Sequence, residues 1–300
     1  MRTLVAPLRV FLLLLHVLDG IAISGLIFPA LDQRRRNRII GAWSRGLVRI
    51  CGARLKVTGV ELAPQLARDG VVPGTQGRLV LCNHISWIDV FALLGASPSR
   101  FVAKSEIGTW PLVGWLVTLV GTLYIERGRR HAVASMNHRV RDRLRSGETI
   151  VVFAEGTTTD GFSLLPFHSN LIAPALEVGC EIWPVALRYT ARGVQTGAAS
   201  FVGEMGLITS LWNLLVVRGI EIEVAYLAAL PPSAGHTRHH LAQLARTAIA
   251  THLGITPDPA PGPQRAPFAP AVSASVTGAQ GAPTAGIAPE RSPAPASASQ

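Results

Sequence analysis

The spacing of apolar and polar positions divides this 300-residue chain into three parts. From Val10 to Leu31 it is almost continuously apolar, 22 residues that suffice to cross a hydrocarbon layer of about 30 Å. His16 and Asp19 interrupt the run and Pro29 lies near its end. A charge at mid-bilayer is costly, so the segment fits both a tilted, half-inserted helix and a clean span. Ile39, Ile40, Trp43, Leu47, Val48 and Ile50 then recur at near-helical spacing, with Arg45 and Arg49 among them. That pattern predicts an amphipathic helix lying on the same surface.

From Leu55 onward short β-rich runs alternate with helical stretches. The runs are Leu55–Val60, Leu79–Cys82, Phe101–Ala103, Thr122–Ile125, Thr149–Ala154, Ile182–Leu187 and Ile220–Tyr226. Helices are expected near 87–96, 106–120, 131–146, 169–179, 207–217 and 237–253. Such alternation predicts an α/β fold with a mixed, largely parallel sheet flanked by helices. Trp110–Ile125 is nearly all apolar but short for a span, and Pro111, Gly114 and Gly121 within it suggest a buried or interfacial helix. From Pro257 to Gln300 the chain turns to Pro, Ala, Gly and Ser. That stretch cannot bury enough apolar surface to offset chain entropy and reads as a disordered tail. The expected organisation is membrane-associated N-terminal helices over 1–52, a catalytic domain over 53–256 and the tail over 257–300.

Composition sharpens the membrane reading. The chain is 48% hydrophobic and only 15% charged, against a charged share of about 25% in ordinary soluble domains. Its net charge is +10, and residues 1–56 carry ten Arg or Lys against Asp19 and Asp32, a local balance of +8. A nucleic acid can attract such a patch, but here it adjoins a long apolar segment, so anionic lipid is the better partner and no nucleic acid is expected. No small-residue cleavage site precedes Arg34-Arg35-Arg36, which argues against a cleaved signal peptide. The same arginines place the following domain on the cytoplasmic side. Cys51, Cys82 and Cys180 are odd in number and far apart, so neither a disulfide nor a metal site is inferred.

The first candidate for chemistry is His84-Ile85-Ser86-Trp87-Ile88-Asp89, directly after the run Leu79–Cys82. On one continuous helix, five residues turn about 500°, which leaves the two side chains about 140° apart. They meet only if His84 ends a turn and a helix begins near Ser86. The aspartate then holds one ring nitrogen and leaves the other free to take a proton. Ser86-Trp87-Ile88-Asp89 equally fits a capping box, with His84 a satisfied turn residue. No Gly-x-Ser-x-Gly elbow accompanies the pair. A base without a nucleophile suits deprotonation of a substrate hydroxyl that itself attacks an activated carbonyl, such as a thioester. Amides near Ser86–Ile88 are candidates to stabilise the oxyanion.

The second candidate is Phe153-Ala154-Glu155-Gly156-Thr157-Thr158-Thr159-Asp160-Gly161, an apolar run feeding a glycine-punctuated loop. Backbone amides in such a loop can reach an anion or a polar headgroup, and a plain turn has the same look. Lys104 and Arg127 each follow a strand-like run and can hold phosphate, or be solvated strand-end charges. Arg139, Arg141, Arg143 and Arg145 read as a solvated helix face.

Taken in order, these blocks resemble the bacterial glycerolipid acyltransferases of the lysophosphatidic acid acyltransferase type. His84-x4-Asp89 matches the first block and Gly121-Thr122-Leu123-Tyr124-Ile125-Glu126-Arg127 the second. Phe153-Ala154-Glu155-Gly156-Thr157 matches the third and Ile182-Trp183-Pro184-Val185-Ala186-Leu187 the fourth, so that the likeness covers about residues 50–230. The resemblance implies the glycerolipid acyltransferase fold, with His84 as general base and Asp89 as its orienter. It implies that Arg127, Glu155, Gly156 and Thr157 line the acceptor headgroup site, that Lys104 touches phosphate and that Pro184 belongs to the acyl-donor side. Transfer from acyl-CoA or acyl-ACP, as co-substrate, to the sn-2 hydroxyl of 1-acyl-glycerol-3-phosphate is then expected, at the bacterial inner membrane, with no bound cofactor or metal. Two positions depart from the pattern. Thr158 stands where the family often has arginine, and His168 where lysine is common. Relatives that acylate lyso-ornithine lipid resemble this threonine-rich loop, which makes lyso-ornithine lipid or another lysolipid the alternative acceptor. A catalytically silent lipid-binding protein is the alternative from another class.

Overall fold

The computed structural model describes residues 5–59, 77–109, 113–125, 130–233 and 235–256. Its centre is β2 (Arg78–Cys82), five residues buried without exception. Leu79 and Leu81 point to one side of the sheet and Val80 and Cys82 to the other, so β2 reads as an unbroken apolar run rather than an alternation. On one side β2 pairs in parallel with β5 (Thr149–Phe153), which pairs with β3 (Arg100–Lys104), which pairs with β4 (Leu123–Ile125). On the other side β2 pairs in parallel with β6 (Ile182–Ala191). Antiparallel β8 (Ile220–Tyr226) follows, and then β1 (Ala53–Thr58), parallel to β8. Together with the short β7 (Val194–Gln195) this is an eight-stranded sheet among the described residues. The expected mixed, largely parallel sheet flanked by helices is what folds.

Each face is closed by helices. One core gathers Val80, Cys82, Ile85 and Ile88 with Leu47 and Val48 of α2 (Gln33–Ile50), Phe91 and Leu93 of α3 (Asp89–Ala96) and Leu214 of α7 (Leu207–Val216). The other gathers Leu79 and Leu81 with Met136 and Val140 of α5 (Arg130–Arg145), Ala175 of α6 (Ala173–Val178) and Leu241 and Ile249 of α8 (Arg238–Leu253).

Several boundaries differ from the sequence reading, each for a local reason. α3 begins at Asp89 rather than 87 because Trp87 and Ile88 form the turn before it. α6 is six residues long, entered through Pro174 and ended by Gly179 at φ +74. The helix expected over 106–120 is a 3-10 turn, Ser105–Thr109, and α4 (Val113–Leu119), after which Gly121 at φ +78 turns the chain into β4. β6 runs on from Leu187 to Ala191, and Arg192 and Gly193, at φ 55 and 82, form the tight turn into β7. The arginines of α5 are not all solvated, since Arg141 pairs with Glu177 and Arg143 with Glu148. Val60, Arg127 and the tail over 257–300 lie outside the described residues.

At the N-terminus the apolar helix α1 (Val5–Ala22) starts earlier than read and continues through a π turn and a 3-10 turn to Ala30. It is long and apolar enough to cross a membrane. Arg9 and His16 are turned inward, while Asp19 is exposed. Arg9 donates from Nη1 to the Leu215 carbonyl at 2.6 Å, and the His16 ring stacks on Trp43 with centroids 4.6 Å apart. His16 Nε2 lies 2.9 Å from the Trp43 carbonyl, and Trp43 Nε1 donates to the His16 carbonyl at 3.0 Å. Leu8, Phe11, Leu14 and Leu18 are left on the exposed face. α2 opens with Asp32, whose carboxylate caps the Arg35 amide at 2.8 Å.

Just past β2, Asn83 locks the strand end to β6. Its Nδ2 donates to the Leu187 carbonyl at 3.0 Å and its Oδ1 accepts from the Leu187 amide at 2.7 Å, both buried. Asn83→Ala strands both backbone groups. We expect a loss of about 2–4 kcal/mol, read as a lowered midpoint in denaturant unfolding of the detergent-solubilised protein.

Candidate active site

Five strands, β2, β3, β4, β5 and β6, run in parallel, so their carboxyl ends share one edge of the sheet, where α/β folds place their ligands. His84 and Asp89 follow β2, Glu155, Gly156 and Thr157 follow β5, and Lys104 closes β3. Arg127 follows β4 in sequence but lies outside the described residues. Pro184 stands apart. It is buried inside β6 opposite Leu81, so His84 lies three strand positions further on, about 10 Å at the rise of a strand.

His84 and Asp89 meet. Nδ1 of the ring lies 2.8 Å from Asp89 Oδ2. That oxygen also accepts the Ile85 amide at 2.7 Å and the Ser86 amide at 2.9 Å, while Oδ1 accepts the Tyr189 hydroxyl. Asp89 orients the imidazole and ties down the turn before α3, but the capping box forms only in half: the Ser86 amide donates to Asp89, while the helix N-cap is Ile88 with no side-chain cap bond. Because carboxylate oxygen only accepts, Nδ1 carries the proton and Nε2 is the acceptor nitrogen. The ring is 19% exposed and its face packs on Phe153 with centroids 3.7 Å apart, while Asp89 is fully buried. Since the Ser86 amide is spent on Asp89, the oxyanion donors expected at Ser86–Ile88 reduce to the amides of Trp87 and Ile88.

Glu155 holds the turn from below. A turn closed by the Gly156 amide on the Phe153 carbonyl, 3.1 Å, carries the glutamate beneath His84. Its Oε1 accepts the His84 amide and its Oε2 the Leu165 amide, each at 2.8 Å. Both oxygens are thus used on backbone, which favours a holding role over contact with a headgroup. Burial pushes this carboxyl from 4.5 up to about 7, opposed by the two amide donors; the Asp89 charge adds to the rise and Arg246 opposes it. Gly156, at φ +70, and Thr157 are exposed beside it. Thr159 donates its amide to the His84 carbonyl at 2.8 Å, and Thr158 turns its hydroxyl onto the Phe201 carbonyl. The His168 side chain lies against Gly156. Among the described residues no group of three His, Cys, Asp or Glu side chains is arranged to hold a metal ion.

Sequence reasoning missed four contributors. Tyr189 reaches Asp89 from β6, Asn83 ties the strand end, Phe153 supports the ring, and Arg246 donates to the Leu164 and Leu165 carbonyls at 2.7 and 3.1 Å. Asn83 had a local signal as a polar residue between an apolar run and His84. Cys82, adjacent to both, is no nucleophile: it is wholly buried, and burial raises its thiol well above the ordinary value, with Asp89 and Glu155 adding to the rise.

The acyltransferase family model matches residues 54–188. The chain is 36% identical over 224 residues to a lyso-ornithine lipid O-acyltransferase of Pseudomonas aeruginosa, covering 75% of this chain and 81% of that protein. It is 34% identical over 209 residues to a 1-acyl-sn-glycerol-3-phosphate acyltransferase of Neisseria gonorrhoeae, covering 69% and 78%. The crystal structure of a 1-acyl-sn-glycerophosphate acyltransferase of Thermotoga maritima superposes with a TM-score of 0.57 at 17% identity, covering 85% of this chain and 97% of that one, a likeness of fold.

The Glu155 carboxyl gives a pH dependence with a definite sign. Its folded value lies above the unfolded one, so the stability it contributes is complete below about pH 4.5 and is lost as pH rises through about 7. The shift is worth on the order of 3 kcal/mol. Unfolding midpoints of the detergent-solubilised protein should fall between pH 5 and pH 8, and Glu155→Gln, which cannot titrate, should flatten that slope.

Proposed function

The chain belongs to the glycerolipid acyltransferase family, and from that premise we propose that it transfers a fatty acyl group from acyl-CoA or acyl-ACP to the sn-2 hydroxyl of 1-acyl-glycerol-3-phosphate, forming phosphatidic acid. The observation that carries the reading is the bond from His84 Nδ1 to the buried Asp89 carboxylate. With Nδ1–H engaged there, Nε2 takes the proton of the acceptor hydroxyl as its oxygen attacks the thioester carbonyl. Asp89 stabilises the imidazolium that forms. The tetrahedral oxyanion is met by the Trp87 and Ile88 amides at the start of α3, where the helix dipole adds to their effect. As the C–S bond breaks, the thiolate takes the proton back from His84, and hydroxyl and thioester have become ester and thiol.

The remaining roles follow from placement. Gly156 and Thr157 border the acceptor headgroup, and Lys104 stands at the same sheet edge to meet its phosphate, with Arg127 assigned there by motif alone. Glu155 and Tyr189 are positioning residues. We assign residues 1–52 to the bacterial inner membrane and residues 53–256 to catalysis, facing the cytoplasm, on the strength of the exposed apolar side of α1 and the Arg34–Arg36 cluster at the start of α2. The inward bonds of Arg9 and His16 pin the first half of α1 to the domain, which favours a half-inserted helix over a clean span.

A second acceptor, lyso-ornithine lipid, is favoured by one observation. Thr158 stands where a phosphate-binding arginine is common, and its hydroxyl is turned away onto the Phe201 carbonyl. The Pseudomonas aeruginosa relative carries that acceptor in its name.

In purified membranes supplied with acyl-CoA and lysophosphatidic acid, His84→Ala should lower thioester consumption by about 10²–10⁴-fold, and Asp89→Asn by a comparable factor. Wild-type rates from His84→Ala would sink the assignment of the base, and lysolipid binding without thioester consumption would favour a silent binding protein. Offering lysophosphatidic acid and lyso-ornithine lipid together should give phosphatidic acid as the main product. A dominant ornithine lipid product, unmoved by Thr158→Arg, would transfer the assignment to the second acceptor.

A further inference from the structure

Helix α7 carries a stripe that the proposed chemistry leaves unused. Ile208, Trp212 and Val216 follow one another at four-residue spacing and are 84%, 51% and 47% exposed, while Ser210, Leu214 and Leu215 face the core. Nothing among the described residues covers the stripe, and large apolar side chains aligned in this way on one helix mark an interaction surface. Both sides of α7 are tied to parts of the molecule that bear on its use. α1 packs against it, and Arg9 of α1 caps its last turn, donating from Nη1 to the Leu215 and Val217 carbonyls at 2.6 and 3.5 Å. Beyond that end, the exposed Arg192 and Arg218 lie on two neighbouring segments, the β6–β7 turn and the approach to β8, joined by the Arg192 amide donating to the Gly219 carbonyl at 3.3 Å. On the other side, Trp87 Nε1 donates to Ser210 Oγ at 3.2 Å from within the His84–Asp89 turn. The loop leading into α7 is joined to the same turn, because the Phe201 amide donates to the Ile85 carbonyl at 2.9 Å and its carbonyl accepts the Thr158 hydroxyl.

We propose that α7 is a second lipid-inserting helix, lying in the plane of an anionic bilayer beside α1, and that it seats the His84 turn at the level of the headgroups. The proposal rests on the membrane part of the reading above and adds to it a distinct element with a distinct task. The stripe has the composition of an interfacial helix, aliphatic residues with a tryptophan at the middle, and α1 beside it presents the same kind of surface. Arg192 and Arg218 supply the charge that phospholipid headgroups attract. Because α7 is bonded directly to Trp87 and, through its leading loop, to Ile85 and Thr158, its depth fixes the height of the acid–base pair above the acyl-chain region. A lysolipid then needs to rise only far enough to bring its hydroxyl to His84 while its chain stays in the bilayer.

The test is a fluorescent probe at the stripe in the full chain. Cys51, Cys82 and Cys180 are all buried, so a thiol-reactive NBD label on Trp212→Cys, and separately on Ile208→Cys, is selective. Adding vesicles of phosphatidylcholine and phosphatidylglycerol should shift the emission of both labels to the blue and raise it several-fold. A label on Gln243→Cys, exposed on α8, should not respond. Co-sedimentation with the same vesicles is measured in parallel. Protein that sediments with vesicles while the labels at 208 and 212 stay silent overturns the role of α7 and leaves the membrane reading standing. Protein that fails to sediment overturns the membrane reading and the proposal with it. A blue shift without vesicles that grows with protein concentration assigns the stripe to a second copy of the chain and overturns lipid as its occupant.

Discussion

The Asp89 carboxylate is buried completely, and no lysine or arginine is paired with it among the described residues. A charge in that position is tolerated only if its oxygens are saturated with donors. The donors come from two parts of the chain: the His84 ring with the Ile85 and Ser86 amides, and the Tyr189 hydroxyl on β6. Satisfying one anion therefore fixes a ring orientation, the shape of the turn and the start of α3 at once. It also binds the turn to β6, at a level that Asn83 sets through Leu187. The pairing of His84 with Asp89 is a consequence of solving a burial problem, which is why the same residues look like a helix cap.

Glu155 solves a second burial problem one strand away and in the opposite manner. Its two oxygens accept the His84 and Leu165 amides, yet burial still moves its carboxyl up to about 7. It is buried and brackets the His84 turn and the segment at Leu165 through those two amides. Arg246, buried on α8, steadies the far side of that bracket through the Leu164 and Leu165 carbonyls. Gly156 and Thr157 form the exposed part of the loop.

Much of this was legible in the sequence, for identifiable reasons. β2 and β5 announce themselves as apolar runs because both of their faces are covered, and His84 and Asp89 stand out because they follow such a run at a spacing only a turn can close. What stayed hidden depends on contacts distant in sequence. Tyr189 lies 100 residues from Asp89, and Arg246 lies 81 residues from Leu165. Nothing local distinguishes either from an ordinary strand tyrosine or a helix arginine. His16 of α1 misled in a different way: read along the chain it interrupts an apolar segment, whereas in space it stacks on Trp43, and Asp19 is the charge left exposed. Pro184 was conspicuous through its block, yet it lies inside β6 opposite Leu81 and away from the His84 edge.

The central claim is that Asp89 fixes His84 in the tautomer that leaves Nε2 free to take a proton. Nitrogen-15 NMR of the protein labelled at histidine, with the His84 signals identified by their loss in His84→Gln, tests it most directly. At a pH where the ring is neutral, Nδ1 should give the signal of a protonated nitrogen and Nε2 that of an unprotonated one, and Asp89→Asn should disturb that assignment. A proton found on Nε2, or a tautomer mixture unchanged by Asp89→Asn, would contradict the account.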